Sequence, residues 1–304
     1  MEKFCDKWIA VDWGTSSFRA YLIQNNEVSD TIETKDGMKF VNNHLFEQTL
    51  LSLIEHWLGD NDSTIEILAS GMVGSKQGWV EAPYQQTPCN LNNLNYITPF
   101  LKDTRISLKI FSGVSQINQP DVMRGEETQI SGFLDEYQNF KGSICLPGTH
   151  SKWVEINNNN IIKFKTFMTG ELFEIISKNS VLIHSVTSDK IDKVELLKSV
   201  DEIFKKPDSF SNSLFQLRAD DLINHRGPLI YKSKLSGYLL AIELLGSVEY
   251  WKDNEIVLIG NSDLIDIYEY VLHKKVKSIK KFLSGDMVLS GLKNFKKNFN
   301  KIIK

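Results

Sequence analysis

The chain has 304 residues, 41% of them hydrophobic and 24% charged, which is enough apolar material for two packed domains and excludes a disordered chain. Its 35 basic and 38 acidic residues nearly balance at a net charge of −3, so no surface is set up to neutralise a nucleic-acid backbone, and a small molecule is the expected partner. Cys5, Cys89 and Cys145 lie far apart without a CxxC pair, and no stretch approaches the ~18 apolar residues of a membrane span, so disulfide, thiolate-metal and membrane classes are set aside in favour of a reducing cytoplasm.

Residues 7–11 and 18–23 read as short strands, with DWGTSS between them as a tight turn. An acid ending a strand, followed by Gly14, Thr15 and Ser16, can offer N–H groups and hydroxyls to phosphate oxygens while the Asp12 carboxylate holds Mg²⁺ through water. A plain polar hairpin, with Thr15 and Ser16 bonded to their own backbone, is the other reading. Phe46, Leu50, Leu53, Ile54 and Trp57 recur at helical spacing, and Gly59 stands where a capping glycine would. The strand IEILA (65–69) then runs into GMVGSKQGW. That loop lacks Walker A spacing, so it is either an ordinary connection or a source of substrate contacts from Ser75, Lys76 and Trp79.

A strand at 106–113 leads toward Asp121 and MRGEETQ, where a helix opens with Ile130, Phe133 and Leu134 on one face. Capping and the helix dipole explain one carboxylate at such a start, but not a pair beside Arg124. Phosphoryl transfer to an alcohol needs a carboxylate within reach of the hydroxyl, and a sugar acid needs a cation for its own carboxylate. Glu126 or Glu127 is therefore the expected base and Arg124 the anchor, with Asp121 a lesser candidate.

After residues 135–141 the opening pattern returns: GSICLPGTHSKWVEI gives strand, small-residue turn, strand. Gly148, Thr149 and Lys152 are candidates for a second phosphate turn. A solvated turn lysine and a structural His150 are the plainer alternatives. A strand at 161–167 precedes a helical stretch from 169 to about 248, and the strand 255–260 ends at Gly260-Asn261-Ser262, where a glycine either admits an adenine ring or makes a simple turn. Ser284-Gly285-Asp286 reads as a further loop of that kind. Basic residues at 274–281 and 293–304 read as solvated faces, the latter on an amphipathic helix with Phe295 and Phe299. The repeated order predicts two related α/β lobes with a cleft between them, 1–134 and 135–304.

WIAVDWGTSSFRAYL, ASGMVGSKQGW with APY after it, VMRGEETQISG, LPGTHSKWV, FMTGEL and LIGNSDL follow one another from near residue 8 to about residue 290. Together they resemble the successive motifs of the 2-dehydro-3-deoxygalactonokinase family. The resemblance implies two ribonuclease-H-like lobes of the actin/Hsp70/hexokinase superfamily with an interlobe cleft. It also implies a kinase that uses ATP and Mg²⁺ to phosphorylate the terminal hydroxyl of 2-dehydro-3-deoxy-D-galactonate in galactonate breakdown. By the same resemblance, 12–17 is the first phosphate loop, 148–152 the second, 260–262 the adenosine loop and MRGEET the catalytic segment, and a homodimer is the family habit. Asn261 stands where a small residue is expected, and 177–230 match little. A kinase for the gluconate epimer, and a nucleotide-binding regulator without transfer, are the rival readings.

Overall fold

The structure, a computed structural model, describes residues 7–42, 45–59 and 64–302, so Cys5 lies outside it. By internal contacts the chain forms two compact units. The first takes in the described residues up to Lys141, then 156–163 and those from Ser284 onward, and the second takes in 142–155 and 164–283.

The first unit is built on β1 (Lys7–Trp13), β2 (Phe18–Gln24) and β3 (Glu27–Thr34), followed by α1 (Phe46–Ile54) and β4 (Ile65–Ser70). Short strands β5 (Gln85–Gln86), β6 (Cys89–Asn90) and β7 (Tyr96–Ile97) precede β8 (Ile106–Phe111), β9 (Val114–Gln116), β10 (Asp121–Met123) and α2 (Glu126–Glu136). The main sheet runs β3-β2-β1-β4-β8-β7, with β1 antiparallel to β2 and parallel to β4. The central strand β1 is buried on both faces, hence its nearly unbroken apolar run, whereas the edge strand β3 carries Glu27, Asp30 and Glu33 into solvent. Phe46, Leu50 and Ile54 of α1, with Trp57 of the 3₁₀ turn after it, pack on Ile9, Val11, Ile67 and Ile110. Truncating Phe46, 2% exposed, to alanine would cost about 3–5 kcal/mol.

The second unit repeats this plan. It holds most of β11 (Lys141–Leu146), β12 (Ser151–Asn157) up to residue 155 and β13 (Asn160–Phe167) from residue 164, five helices α3 (Thr169–Asn179), α4 (Lys193–Lys205), α5 (Phe210–Asn224), α6 (Pro228–Gly246) and α7 (Val248–Trp251), then β14 (Glu255–Gly260), α8 (Ser262–Leu272) and β15 (Ser278–Leu283). Its strands are ordered β13-β12-β11-β14-β15, the same order as β3-β2-β1-β4-β8, so the recurring hairpin of the sequence is a recurring sheet. Trp153, Leu196, Leu235, Leu244 and Ile265 lie in its core.

Two expectations are corrected. The division at 134/135 assigned the C-terminal segment to the second half, yet α9 (Ser284–Ile302) belongs to the first unit, where it crosses α2. Glycines allow that crossing: a Cβ on Gly132 would fall 2.0 Å from the Met287 carbonyl oxygen, and one on Gly291 2.0 Å from that of Thr128. Ser284-Gly285-Asp286 is thus the first turn of a helix, not a loop. The basic stretch 274–281, read as a solvated face, keeps Lys274, Lys277, Lys280 and Lys281 exposed and contains most of the edge strand β15, whose Lys281 pairs with Asp266 and Glu269 of α8.

Candidate active site

In the first unit, three chemically similar strand ends meet. Asp12, Ser70 and Ser112 stand at the carboxyl ends of β1, β4 and β8, and Asp12 is the register partner of Ser70. This is where open α/β sheets place ligands. Asp12 is partly buried, and no donor among the described residues bonds its carboxylate. Burial pushes its pKa up to about 6, with Arg19, its neighbour across β2, pulling the other way. The Ser70 and Ser112 hydroxyls are buried without a hydrogen-bond partner among the described residues.

The turn after Asp12 is braced from behind. The Met38 and Lys39 amides donate to the Gly14 and Thr15 carbonyls at 2.9 and 3.1 Å, and the Trp13 indole donates to the Asp36 carbonyl at 3.0 Å. Gly37 allows this approach, since a Cβ there would lie 2.3 Å from Ser16 backbone carbon. With its carbonyls engaged, the turn exposes Thr15 and Ser16 outward. Among the described residues their amides donate to nothing and their hydroxyls do not bond the turn's own backbone, unlike the plain-hairpin reading.

The loop after β4 closes on itself through Trp79 N–H to Val73 O and Ala82 N–H to Gly74 O, both 2.9 Å. Ser75 is buried against Met38, Lys76 is exposed, and Trp79 stacks on Phe46 with centroids 6.0 Å apart, so of these three Trp79 has a packing role in the core. Behind the loop lies Arg124, 8% exposed, its Nη2 donating to the Ala82 carbonyl at 2.7 Å and its guanidinium 4.3 Å from the centre of the Tyr84 ring. Its Nε and Nη1 are buried with no acceptor among the described residues. Gly74 and Gly113 make room for this nest: a Cβ on the first would lie 3.0 Å from Arg124 Nη1, and one on the second 2.8 Å from the Tyr84 ring.

The two acids beside Arg124 are not equivalent. Glu127 is 1% exposed, both its oxygens accept the Gly125 amide at 2.9 and 2.7 Å, and burial followed by the nearby Glu126 pushes its pKa up to about 8. Glu126 is only partly buried and accepts the Arg124 amide at 3.0 Å. Asp121 lies in β10 of the small sheet β10-β9-β5.

In the second unit, the turn between β11 and β12 packs against the start of α3. The Glu171 amide donates to the Thr149 carbonyl at 3.0 Å, and a Cβ on Gly170 would fall 2.5 Å from the Gly148 oxygen. Around Gly148 itself nothing lies within 4 Å of a Cβ position, and the Thr149 and His150 amides have no acceptor among the described residues. Lys152 is buried, with its ammonium 3.3 Å from the His150 carbonyl oxygen, and the His150 ring meets Glu171 at 2.5 Å. Beside this turn is a cavity of about 230 Å³ with a mostly apolar lining, including Gly148, Phe173, Leu239, Leu264, Ile267 and Tyr268. Gly260, Asn261 and Ser262 do not line it. Asn261 instead caps α8 by accepting the Asp263 amide at 2.9 Å, which accounts for an asparagine at that position.

The family model for 2-keto-3-deoxy-galactonokinase matches residues 12–295. The chain belongs to that family. A Rhizobium meliloti protein described as a probable 2-dehydro-3-deoxygalactonokinase, DgoK1, is 30% identical over 94% of this chain and 95% of its own length. The 2-dehydro-3-deoxygalactonokinase of Escherichia coli is 26% identical over 86% of this chain and 88% of that one. A crystal structure from Sinorhizobium meliloti assigned to the 2-dehydro-3-deoxygalactonokinases superposes with a TM-score of 0.88 at 29% identity, covering 96% of this chain and 99% of that one. Component A of the Acidaminococcus fermentans (R)-2-hydroxyglutaryl-CoA dehydratase shares the fold alone, with a TM-score of 0.50 at 12% identity over 96% of this chain and 99% of that one. The fold is the two-unit α/β architecture of that Sinorhizobium meliloti structure, with one strand order repeated in both units.

For a member of the galactonokinase family, several side chains of the site went unread in the sequence. Tyr84 lies against Arg124, Ser70 and Ser112 stand at the strand ends beside Asp12, and β4 and β8 each run into the same Ser-Gly dipeptide, a signal available in the sequence. Gly37 and Glu243 left fainter traces: a glycine in a polar loop, and a lone acid inside the apolar run YLLAIELL.

Proposed function

We propose that this chain transfers the γ-phosphoryl group of ATP to the terminal hydroxyl of 2-dehydro-3-deoxy-D-galactonate, giving the 6-phosphate and ADP. The observation that carries the reading is Arg124, a buried guanidinium with two N–H-bearing nitrogens unpaired, one residue from Gly125 and two from Glu126. A buried cation left so is costly unless an anion completes it, and a sugar acid brings a planar carboxylate that matches the guanidinium fork.

Glu126 is the more accessible acid and takes the hydroxyl proton. The hydroxyl oxygen bonds to the γ-phosphorus as the bond from that phosphorus to the β,γ-bridging oxygen breaks, and the electron pair leaves with ADP. Glu127, spent on the Gly125 amide, fixes the start of α2. The amides and hydroxyls of Thr15 and Ser16 serve phosphate oxygens, as do the Thr149 and His150 amides with Lys152. The apolar cavity beside Gly148 suits the adenosine moiety, with Gly260, Asn261 and Ser262 at the start of α8 near its edge.

Mg²⁺ fits the site at Asp12, whose partly buried carboxylate has no donor among the described residues and could hold the ion together with water and phosphates. When bound, it would neutralise charge on the phosphate oxygens. The proposal extends to a cytoplasmic setting, supported by Cys89 and Cys145 being buried free thiols, and to a homodimer, which light scattering would test. Among the described residues no helix is long and apolar enough to cross a membrane.

The test is ADP release with MgATP against the galactonate-derived and gluconate-derived 2-keto-3-deoxy acids side by side. Galactonate-selective turnover is expected. Turnover with the gluconate epimer alone would change the acceptor, and ATP binding without turnover on either acid would overturn the transfer.

A further inference from the structure

Glu243 lies in the last turn of α6, 1% exposed, in the interior of the second unit. Three donors converge on it: the Trp153 indole N–H at 2.8 Å on Oε1, the Tyr268 hydroxyl at 2.8 Å on Oε2, and the Thr169 hydroxyl, also on Oε2. Three donors on two oxygens suit an ionised carboxylate, which only accepts. Burial pushes its pKa above the ordinary carboxylate value, with these donors opposing the rise, and burial together with Glu243 keeps the Tyr268 phenol protonated.

This carboxylate gives direction to a chain of hydrogen bonds. Tyr268 must donate to Glu243, so it accepts from the Ser151 hydroxyl 3.1 Å away. The Ser151 oxygen is then free to accept the Gly148 amide, at 3.5 Å. Through Thr169 the same carboxylate holds the start of α3, whose Gly170 packs against the Gly148 carbonyl. Gly148, Thr169, Gly170 and Tyr268 all line the apolar cavity, and each is tied, directly or through one or two neighbours, to Glu243.

We infer that Glu243 is a positioning residue for nucleotide binding: from a buried place it sets the second glycine turn and the cavity wall, without touching the nucleotide. The inference rests on the reading that this turn and cavity hold ATP. A satisfied buried network of this kind fixes one geometry, and exchanging its central acceptor for a group that also donates changes the order of the whole chain.

The experiment is calorimetric ATP binding to the full chain, with KM measured for ATP and for the sugar acid. Glu243→Gln keeps size but brings an N–H₂ group to face donors, so ATP binding weakens about tenfold while KM for the acid stays within about twofold. Tyr268→Phe removes one relay hydroxyl and keeps the ring, and weakens ATP in the same direction. Unchanged ATP affinity in folded Glu243→Gln, or an equal loss for both substrates, would overturn the role. If Glu243→Gln does not fold, unchanged ATP affinity in Tyr268→Phe does so instead. Leu264→Trp, at a cavity residue 37% exposed, tests the underlying reading: unchanged ATP affinity there removes the nucleotide from this cavity, whereas its loss beside an unaffected Glu243→Gln sinks only the positioning role.

Discussion

A Cβ built on Gly125 would lie 3.5 Å from the Cα of Gly71, so the loop that follows β4 and the loop that opens α2 touch backbone to backbone. Both glycines have positive φ, +95° at Gly71 and +104° at Gly125. Only Gly71 is also crowded: its Cβ would sit 2.7 Å from the Trp13 carbonyl oxygen and 3.4 Å from Asp12 Oδ1. Gly71→Ala should therefore destabilise by about 2–3 kcal/mol and Gly125→Ala, which meets only ordinary contact, by about 1 kcal/mol. Urea unfolding at constant m-value measures both, and the reverse order would contradict this geometry.

Arg124 separates binding from folding. Arg124→Met loses the bond to the Ala82 carbonyl and the contact with Tyr84, but also removes two buried N–H-bearing nitrogens that have no acceptor among the described residues. The two effects oppose each other, so stability should change by no more than about 1–2 kcal/mol, while KM for the sugar acid rises about 10- to 100-fold with KM for ATP little changed. Arg124→Lys keeps the charge without the fork and should recover only part of the loss. A sugar-acid KM like that of the wild type in Arg124→Met would move the anchor elsewhere.

Glu126 and Glu127 can be told apart by pH. The folded Glu127 carboxyl, at about 8 against an ordinary value of 4.5, binds a proton that the unfolded chain has lost across that window, so its contribution to stability falls as pH rises from about 4.5 to 8. Glu127→Gln stays neutral throughout, so denaturation at a series of pH values should show it gaining on the wild type as pH climbs. Its turnover should remain within about tenfold, whereas Glu126→Gln loses about 10²–10⁴-fold. Turnover lost in Glu127→Gln and kept in Glu126→Gln would exchange the roles.

The elements legible in the sequence are those whose cause is local. Buried β1 reads as an apolar run, α1 as a stripe from Phe46 to Ile54, and the two hairpins as repeats of one pattern. What was hidden depends on distant partners. Strand β3 exposes most of its residues and β15 is rich in lysine, so neither carries strand alternation. The return of α9 to α2 rests on Gly132 and Gly291, which are 159 positions apart and become meaningful only when the helices cross. Glu243 meets Trp153, Thr169 and Tyr268 at separations of 90, 74 and 25 residues, beyond any motif window. At the site, residue types were readable at Asp12, Arg124 and the acid pair, but which acid is accessible depends on how tightly α2 is buried.

Asp12 sets stability against function. Its folded pKa of about 6 lies above the ordinary 3.8, so below about pH 3.8 the carboxyl is neutral in both states and imposes no cost, and as pH rises to 6 the folded state increasingly bears an ionised, poorly solvated group. Asp12→Asn relieves that cost. Above pH 6 the variant should be more stable than the wild type by on the order of 1–2 kcal/mol, after allowance for the partial exposure of the site, and the gain should vanish near pH 4. Turnover should move the opposite way, falling by about 10² or more, because the neutral amide no longer supplies charge for the magnesium–phosphate complex. Added MgATP should correspondingly raise the melting temperature of the wild type more than that of Asp12→Asn. A variant with wild-type turnover would show that Asp12 serves the fold. One that is both less stable and less active would show that its carboxylate has a partner in solution that this geometry does not provide.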